Sequence, residues 1–91
     1  MNARERAEKL VKLACKRQQV QLLDGTVALH KLAWEKNQRG ERQFRRYFRF
    51  EFTLTGNERR EGIIALRGHF QEYLYMDMPD SALFHMDNST S

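Results

Sequence analysis

One cysteine, one proline and five glycines stand among the 91 residues, and no apolar run approaches the length of a membrane span. Each scarcity excludes something. A lone cysteine, Cys15, permits no internal disulfide and no zinc site built on paired thiolates, and it fits a reducing compartment such as the cytosol. Without ~18–20 consecutive apolar residues there is no transmembrane helix within the sequence. The opening MNARERAEK is charged at once and lacks the apolar segment of a signal peptide. No G-x-S-x-G, P-loop, G-x-G-x-x-G or hydrolase triad pattern occurs. The three histidines, His30, His69 and His85, lie far apart. We therefore expect no enzyme, no cofactor and no bound metal.

What is present is enough for one domain with one modest core. The chain is 41% hydrophobic and 31% charged, unlike a disordered chain. Its net charge of +4 is unevenly spread. Residues 1–67 hold all sixteen Lys and Arg against eight acids, whereas residues 68–91 hold four acids and neither Lys nor Arg. A basic body suggests an anionic partner or surface. The plainer account is that the two parts offset one another in a single soluble particle.

Residues 3–17 follow helical spacing. Ala3, Ala7, Leu10, Val11 and Ala14 share a face, Asn2 is placed to cap the start, and Lys16 and Arg17 suit the negative end of the helix dipole. The period then changes. Val20, Leu22 and Leu23 form a short apolar run before the Asp24-Gly25 turn signal, where the aspartate side chain is expected to bond nearby backbone N–H groups. Thr26–Lys36 is a strand candidate with an ambiguous inward face, because Val27, Leu29, Lys31, Ala33 and Glu35 fall on one side and Ala28, His30, Leu32 and Trp34 on the other. Asn37–Gly40 reads as a hairpin loop.

The strongest period-2 signal is QFRRYFRFEFTLT, Gln43–Thr55. Phe44, Arg46, Phe48, Phe50, Phe52 and Leu54 share one face; Arg45, Tyr47, Arg49, Glu51 and Thr53 share the other. The phenylalanines are expected inside. After a turn at Thr55–Glu58, Arg59–Arg67 and His69–Asp77 read as two further strands, the last with Phe70, Leu74 and Met76 on one face and Pro79 as its stop. The predicted fold class is α+β: one N-terminal helix packed on an antiparallel β-meander of three to five strands. Residues 1–78 form one domain and 79–91 a flexible acidic and polar tail. The absence of a parallel crossover helix excludes a Rossmann-type sheet.

The segments VQLLDGTVAL (Val20–Leu29) and YFRFEFTLTGNERREGIIAL (Tyr47–Leu66) carry a resemblance. With Cys15 on a basic helix before them and Gly68 after them, they are similar to a family of small proteobacterial proteins classed as a domain of unknown function. Gln21, Leu22, Leu23, Asp24 and Thr26 to Leu29 fit its first motif; Tyr47, Phe50, Glu51, Phe52, Gly56, Arg59 and Gly62 fit its second. The resemblance covers about residues 4–76. Members typically open with a single membrane helix, which this sequence lacks before Arg4, and the residues after Met76 depart from the family's ending. The resemblance assigns no activity. It implies a setting at the cytoplasmic face of the inner membrane, since an Arg/Lys-rich segment after a membrane helix stays on that side.

Lys31, Arg45, Tyr47, Arg49, Glu51 and Arg59 are the candidate binding face. Such a face would attract anionic lipid headgroups or, less favoured, nucleic acid. An RNA-reading sheet displays aromatics and cations together, and parity separates the phenylalanines from most of the arginines. Cross-strand pairing of Glu51 and Glu61 with Arg49 or Arg59 is the simpler account of these charges than acid–base chemistry. Cys15 beside Lys12 and Lys16 could be an activated thiol, although a small residue on a packed helix face is the simpler reading. The expected partner is an unidentified protein, and an exposed edge strand would allow a homodimer.

Overall fold

A computed structural model describes residues 1–79. The tail expected over 79–91 therefore lies, apart from Pro79, outside the described residues. Helix α1 spans Ala3–Arg17. The Asn2 side chain accepts a hydrogen bond from the Glu5 backbone N–H at 2.8 Å, satisfying one of the free donors of the first turn. At the other end Val20 N–H donates to the Cys15 carbonyl at 2.9 Å and Gln19 N–H to the Lys16 carbonyl at 3.1 Å. This is a Schellman closure, with Gln19 at φ 59° in the left-handed position that glycine usually takes.

Five strands follow: β1 (Gln21–Leu22), β2 (Ala28–Lys36), β3 (Arg42–Thr53), β4 (Arg60–Arg67) and β5 (Phe70–Met76). They form one antiparallel sheet, as the α+β meander predicted. β3 lies at its centre, with β4 and then β5 on one side and β1 and β2 sharing the other. β1 pairs with Phe52 and Thr53 at the end of β3, and β2 pairs with Arg42 through Arg49. The turn between them interrupts the ladder opposite Glu51, and Thr26 fills the gap. Its hydroxyl accepts from the Glu51 N–H at 3.0 Å and donates to the Leu23 carbonyl at 2.7 Å, while Leu23 N–H donates to the Glu51 carbonyl at 2.9 Å. Among the described residues the side chain that pins this turn is thus Thr26, not Asp24. A two-residue Gly68-His69 turn joins β4 to β5, with Gly68 at φ 61°.

The core lies between α1 and one face of the sheet. Ala7, Val11 and Cys15 of the helix meet Phe48, Phe50 and Phe52 of β3 and Ile64 and Leu66 of β4, all buried. Each buried phenylalanine contributes about 1.5–3 kcal/mol. Phe50 stands opposite Gly62, and a Cβ at that position would overlap its ring, so glycine is what lets the ring lie across β4.

Phe44 was expected in this core and is not there: it is 42% exposed. The reason is length. The 15 residues of α1 reach about 22 Å at ~1.5 Å each, whereas the 12 of β3 reach about 40 Å at ~3.3 Å each. The helix packs over β1, β3 and β4, leaving the Arg42–Arg46 end of β3 and most of β2 without cover.

Two β-bulges change the faces read from parity. In β2 the register slips at His30, so Leu29, Leu32 and Trp34 all fall on the helix side, opposite Phe48, Arg46 and Phe44. Ala28, Lys31, Ala33 and Glu35 fall on the other, which resolves the mixed faces of the sequence. In β5 the extra residue is Glu72, between Gln71 and Tyr73. Leu74 and Met76 pack on the core as expected, but Phe70 is opposite Arg67 and 62% exposed, a correction caused by the same parity change.

Candidate functional site

The face of the sheet away from α1 carries the six residues named as a candidate binding face. Alternation along β3 puts Arg45, Tyr47, Arg49 and Glu51 there, β2 adds Lys31, and Arg59 reaches in from before β4. Two networks tie them together. Arg45 donates Nε to Glu72 Oε1 at 2.8 Å and Nη2 to Glu72 Oε2 at 3.1 Å, a bidentate pair from β3 to β5. Its Nη1 donates to Glu35 of β2 at 3.1 Å and to the Tyr47 hydroxyl at 3.3 Å. The Arg45 hydrogen bonds hold the Glu72 carboxyl below its ordinary range, and Glu72 in turn pushes the Arg45 guanidinium pKa up.

The second network surrounds the directly opposed pair Glu51 and Glu61. Arg59 donates to Glu51 at 2.8 Å, and Arg49 bridges Glu61 and Glu51. The Arg49 hydrogen bond lowers the Glu61 pKa, and Glu61 raises that of Arg49. Each of two carboxylates placed face to face is thereby given its own arginine, and Glu61 is favoured in its charged form, the opposite of the proton-sharing that acid–base chemistry uses. Lys31 extends over the Tyr47 ring, 5.5 Å from its centroid, and Tyr47 lies 6.3 Å from Tyr73. Most charges on this face are paired with one another, and the exposed rings of Phe70, Tyr73 and Tyr75 stand among them on β5. A shallow concavity of about 440 Å³ near the β2–β3 hairpin loop is bounded by Arg45, Glu72, Glu35 and Arg67, the first three of which belong to the Arg45 network.

A different surface lies on the helix side, where the sheet outruns α1. Leu29, Leu32, Trp34 and Phe44 are 53%, 51%, 50% and 42% exposed. The Trp34 and Phe44 rings meet edge to face, with centroids 3.9 Å apart. The Arg42 guanidinium lies 6.0 Å from the Trp34 ring centroid and that of Arg46 lies 5.7 Å from Phe44. An apolar cluster rimmed by arginines is the composition of a protein-contact surface. Parity alone did not disclose it. The signal available in the sequence was the mismatch between a 15-residue helix and the longer strands beneath it.

Cys15 faces the core, and burial pushes its thiol pKa up, so the helix-face reading holds over an activated thiol. Among the described residues no three His, Cys, Asp or Glu side chains are grouped as a metal site would need. No helix among them is long and apolar enough to cross a membrane.

Fold and surfaces define a small α+β domain with one face of mostly paired charges and one partly covered apolar face. The chain belongs to the family described as a protein of unknown function (DUF3301), whose model matches residues 1–78. No curated protein and no solved structure matches it.

Proposed function

We propose that this chain is a non-enzymatic interaction module that binds another protein, near the cytoplasmic face of the bacterial inner membrane. The observation that carries this reading is the exposed cluster of Leu32, Trp34 and Phe44 under Arg42 and Arg46, fixed on strands rather than on a loop. Tryptophan and arginine are the residues most often found to dominate protein contacts. The cellular setting is supported by the motif resemblance and by the basic composition. Arg42 and Arg46 also give this surface the charge that suits a partner beside anionic headgroups.

Nucleic-acid binding by the opposite face is the weaker reading. Arg45, Arg49 and Arg59 already engage Glu72, Glu61 and Glu51, and phosphate would have to displace those carboxylates.

Affinity capture with the wild-type chain and with a Trp34→Asp variant tests the proposal, alongside co-sedimentation with vesicles with and without anionic lipid. A partner held by the wild type and lost from the folded variant supports it. Equal recovery on both, or no specific partner at all, removes it. RNA and single-stranded DNA titrated at low salt, where electrostatic binding is strongest, test the weaker reading.

A further inference from the structure

The outer edge of β2 is the longest open edge of the sheet among the described residues. Eight of its nine residues are exposed, and its backbone groups on that side have no strand beside them. Natural edges of this kind are usually blunted by a lysine, a proline or a bulge. β2 has a bulge at His30, but from Lys31 to Lys36 its register on β3 is unbroken. We infer that this stretch pairs with the same stretch of a second copy of the chain, antiparallel, about a twofold axis through Ala33.

Geometry limits the registers. A twofold axis perpendicular to a continuous sheet keeps each side chain on its own face, so directly opposed residues must share a face. The axis must then pass through a residue and its symmetry mate. Centring on Ala33 places Lys31 opposite the partner's Glu35, and Glu35 opposite the partner's Lys31, on the polar face. On the apolar face the same register places Leu32 opposite the partner's Trp34, twice. Ala33, a small residue, meets itself at the axis.

Other centres lose this match. Centring on Lys31 or Glu35 opposes like charges. Centring on Leu32 puts Lys31 against alanine and Trp34 against His30, while centring on Trp34 puts Leu32 against Lys36. Lys31 alone would read as an edge blocker. With Glu35 four residues on and on the same face, it becomes self-complementary.

The paired sheet would have ten strands with both copies of α1 on one side. Leu32, Trp34 and Phe44 of each copy would line the floor between the helices. The pairing itself is made by backbone groups of the edge; it sets Leu32 and Trp34 of the two copies side by side on the apolar face and leaves their outward surface open to a partner.

Sedimentation velocity of the purified chain over a range of concentrations should show reversible dimerisation. Reversing one charge, by Lys31→Glu or Glu35→Lys, should weaken it by about tenfold or more, since each change converts two attractive cross-strand pairs into two repulsive ones. The double variant Lys31→Glu/Glu35→Lys should recover most of the loss. Circular dichroism shows whether each variant stays folded, because Glu35 also contacts Arg45.

Disulfide trapping reads the register independently. In a Cys15→Ala background, Ala33→Cys should form a covalent dimer rapidly. Lys31→Cys and Glu35→Cys should not, because in this register each lies about 13 Å along the strand from its own counterpart. A chain that stays monomeric, or a dimer that links first through positions other than 33, overturns the inference.

Discussion

Phe50 and Phe44 lie on one strand and point to one side of one sheet, yet one is fully buried and the other is 42% exposed. No property of the residues separates them. What differs is what lies above: Val11 and its neighbours on α1 over the first, solvent over the second. Alternation along a strand therefore chooses a face and not a depth. Depth is set by the covering element, and a helix rises less than half as far per residue as a strand. A short helix over long strands leaves one half of the sheet covered and stabilising and the other half open to solvent.

The largest expected effect breaks the comparison at its centre. Phe50→Asp should leave no cooperative urea transition, whereas Phe44→Asp should melt close to wild type. With the milder alanine pair, Phe50→Ala should cost about 3–5 kcal/mol and Phe44→Ala about 1 kcal/mol or less. Gly62→Ala presses a methyl group into the Phe50 ring and should cost about 1–3 kcal/mol in the same melts. A neutral Gly62→Ala would mean that the ring packs less tightly than described.

Glu58 sharpens the comparison through pH, because it closes the turn at the covered end of the sheet. Its carboxylate accepts hydrogen bonds from the buried Thr53 hydroxyl, from Thr55 N–H at 3.1 Å and Oγ1 at 2.9 Å, and from Leu54 N–H at 3.2 Å. These bonds, that from Thr53 first, hold its pKa well below the ordinary carboxylate range. The folded state thus favours the ionised form. Its stabilising share is complete above the unfolded pKa of about 4.3 and is lost as pH falls from there through the depressed folded value. Melts of Glu58→Gln between pH 7 and pH 3 should show a shallower decline than wild type, the two curves converging at the acid end.

The smallest effect runs in the other direction. Gln19→Gly relieves a left-handed residue at the Schellman closure and should stabilise by about 1 kcal/mol or less.

Much of this architecture can be read from the residues. Asn2, the Ala7–Val11 face and the alternation of Phe48, Phe50 and Phe52 place the helix, the central strand and its inward side. Three features escape that reading for physical reasons. A bulge shifts parity by one, so neither the inward side of β2 nor the outward turn of Phe70 follows from spacing. The Arg45 network depends on register, since Glu35 and Glu72 lie on different strands and Glu72 sits at a bulge. Thr26 works as a ladder substitute only because β1 and β2 share one side of β3, which is a property of the assembled sheet.

Trp34 is the sole tryptophan of the chain and stands on the half that the helix leaves uncovered. Acrylamide quenching of its fluorescence in dilute wild-type protein tests the division of the sheet most directly. The account predicts an accessible indole with red-shifted emission, quenched nearly as well in the folded chain as in urea. A blue-shifted emission protected from quencher would show that the apolar end is covered within the monomer, and would contradict it.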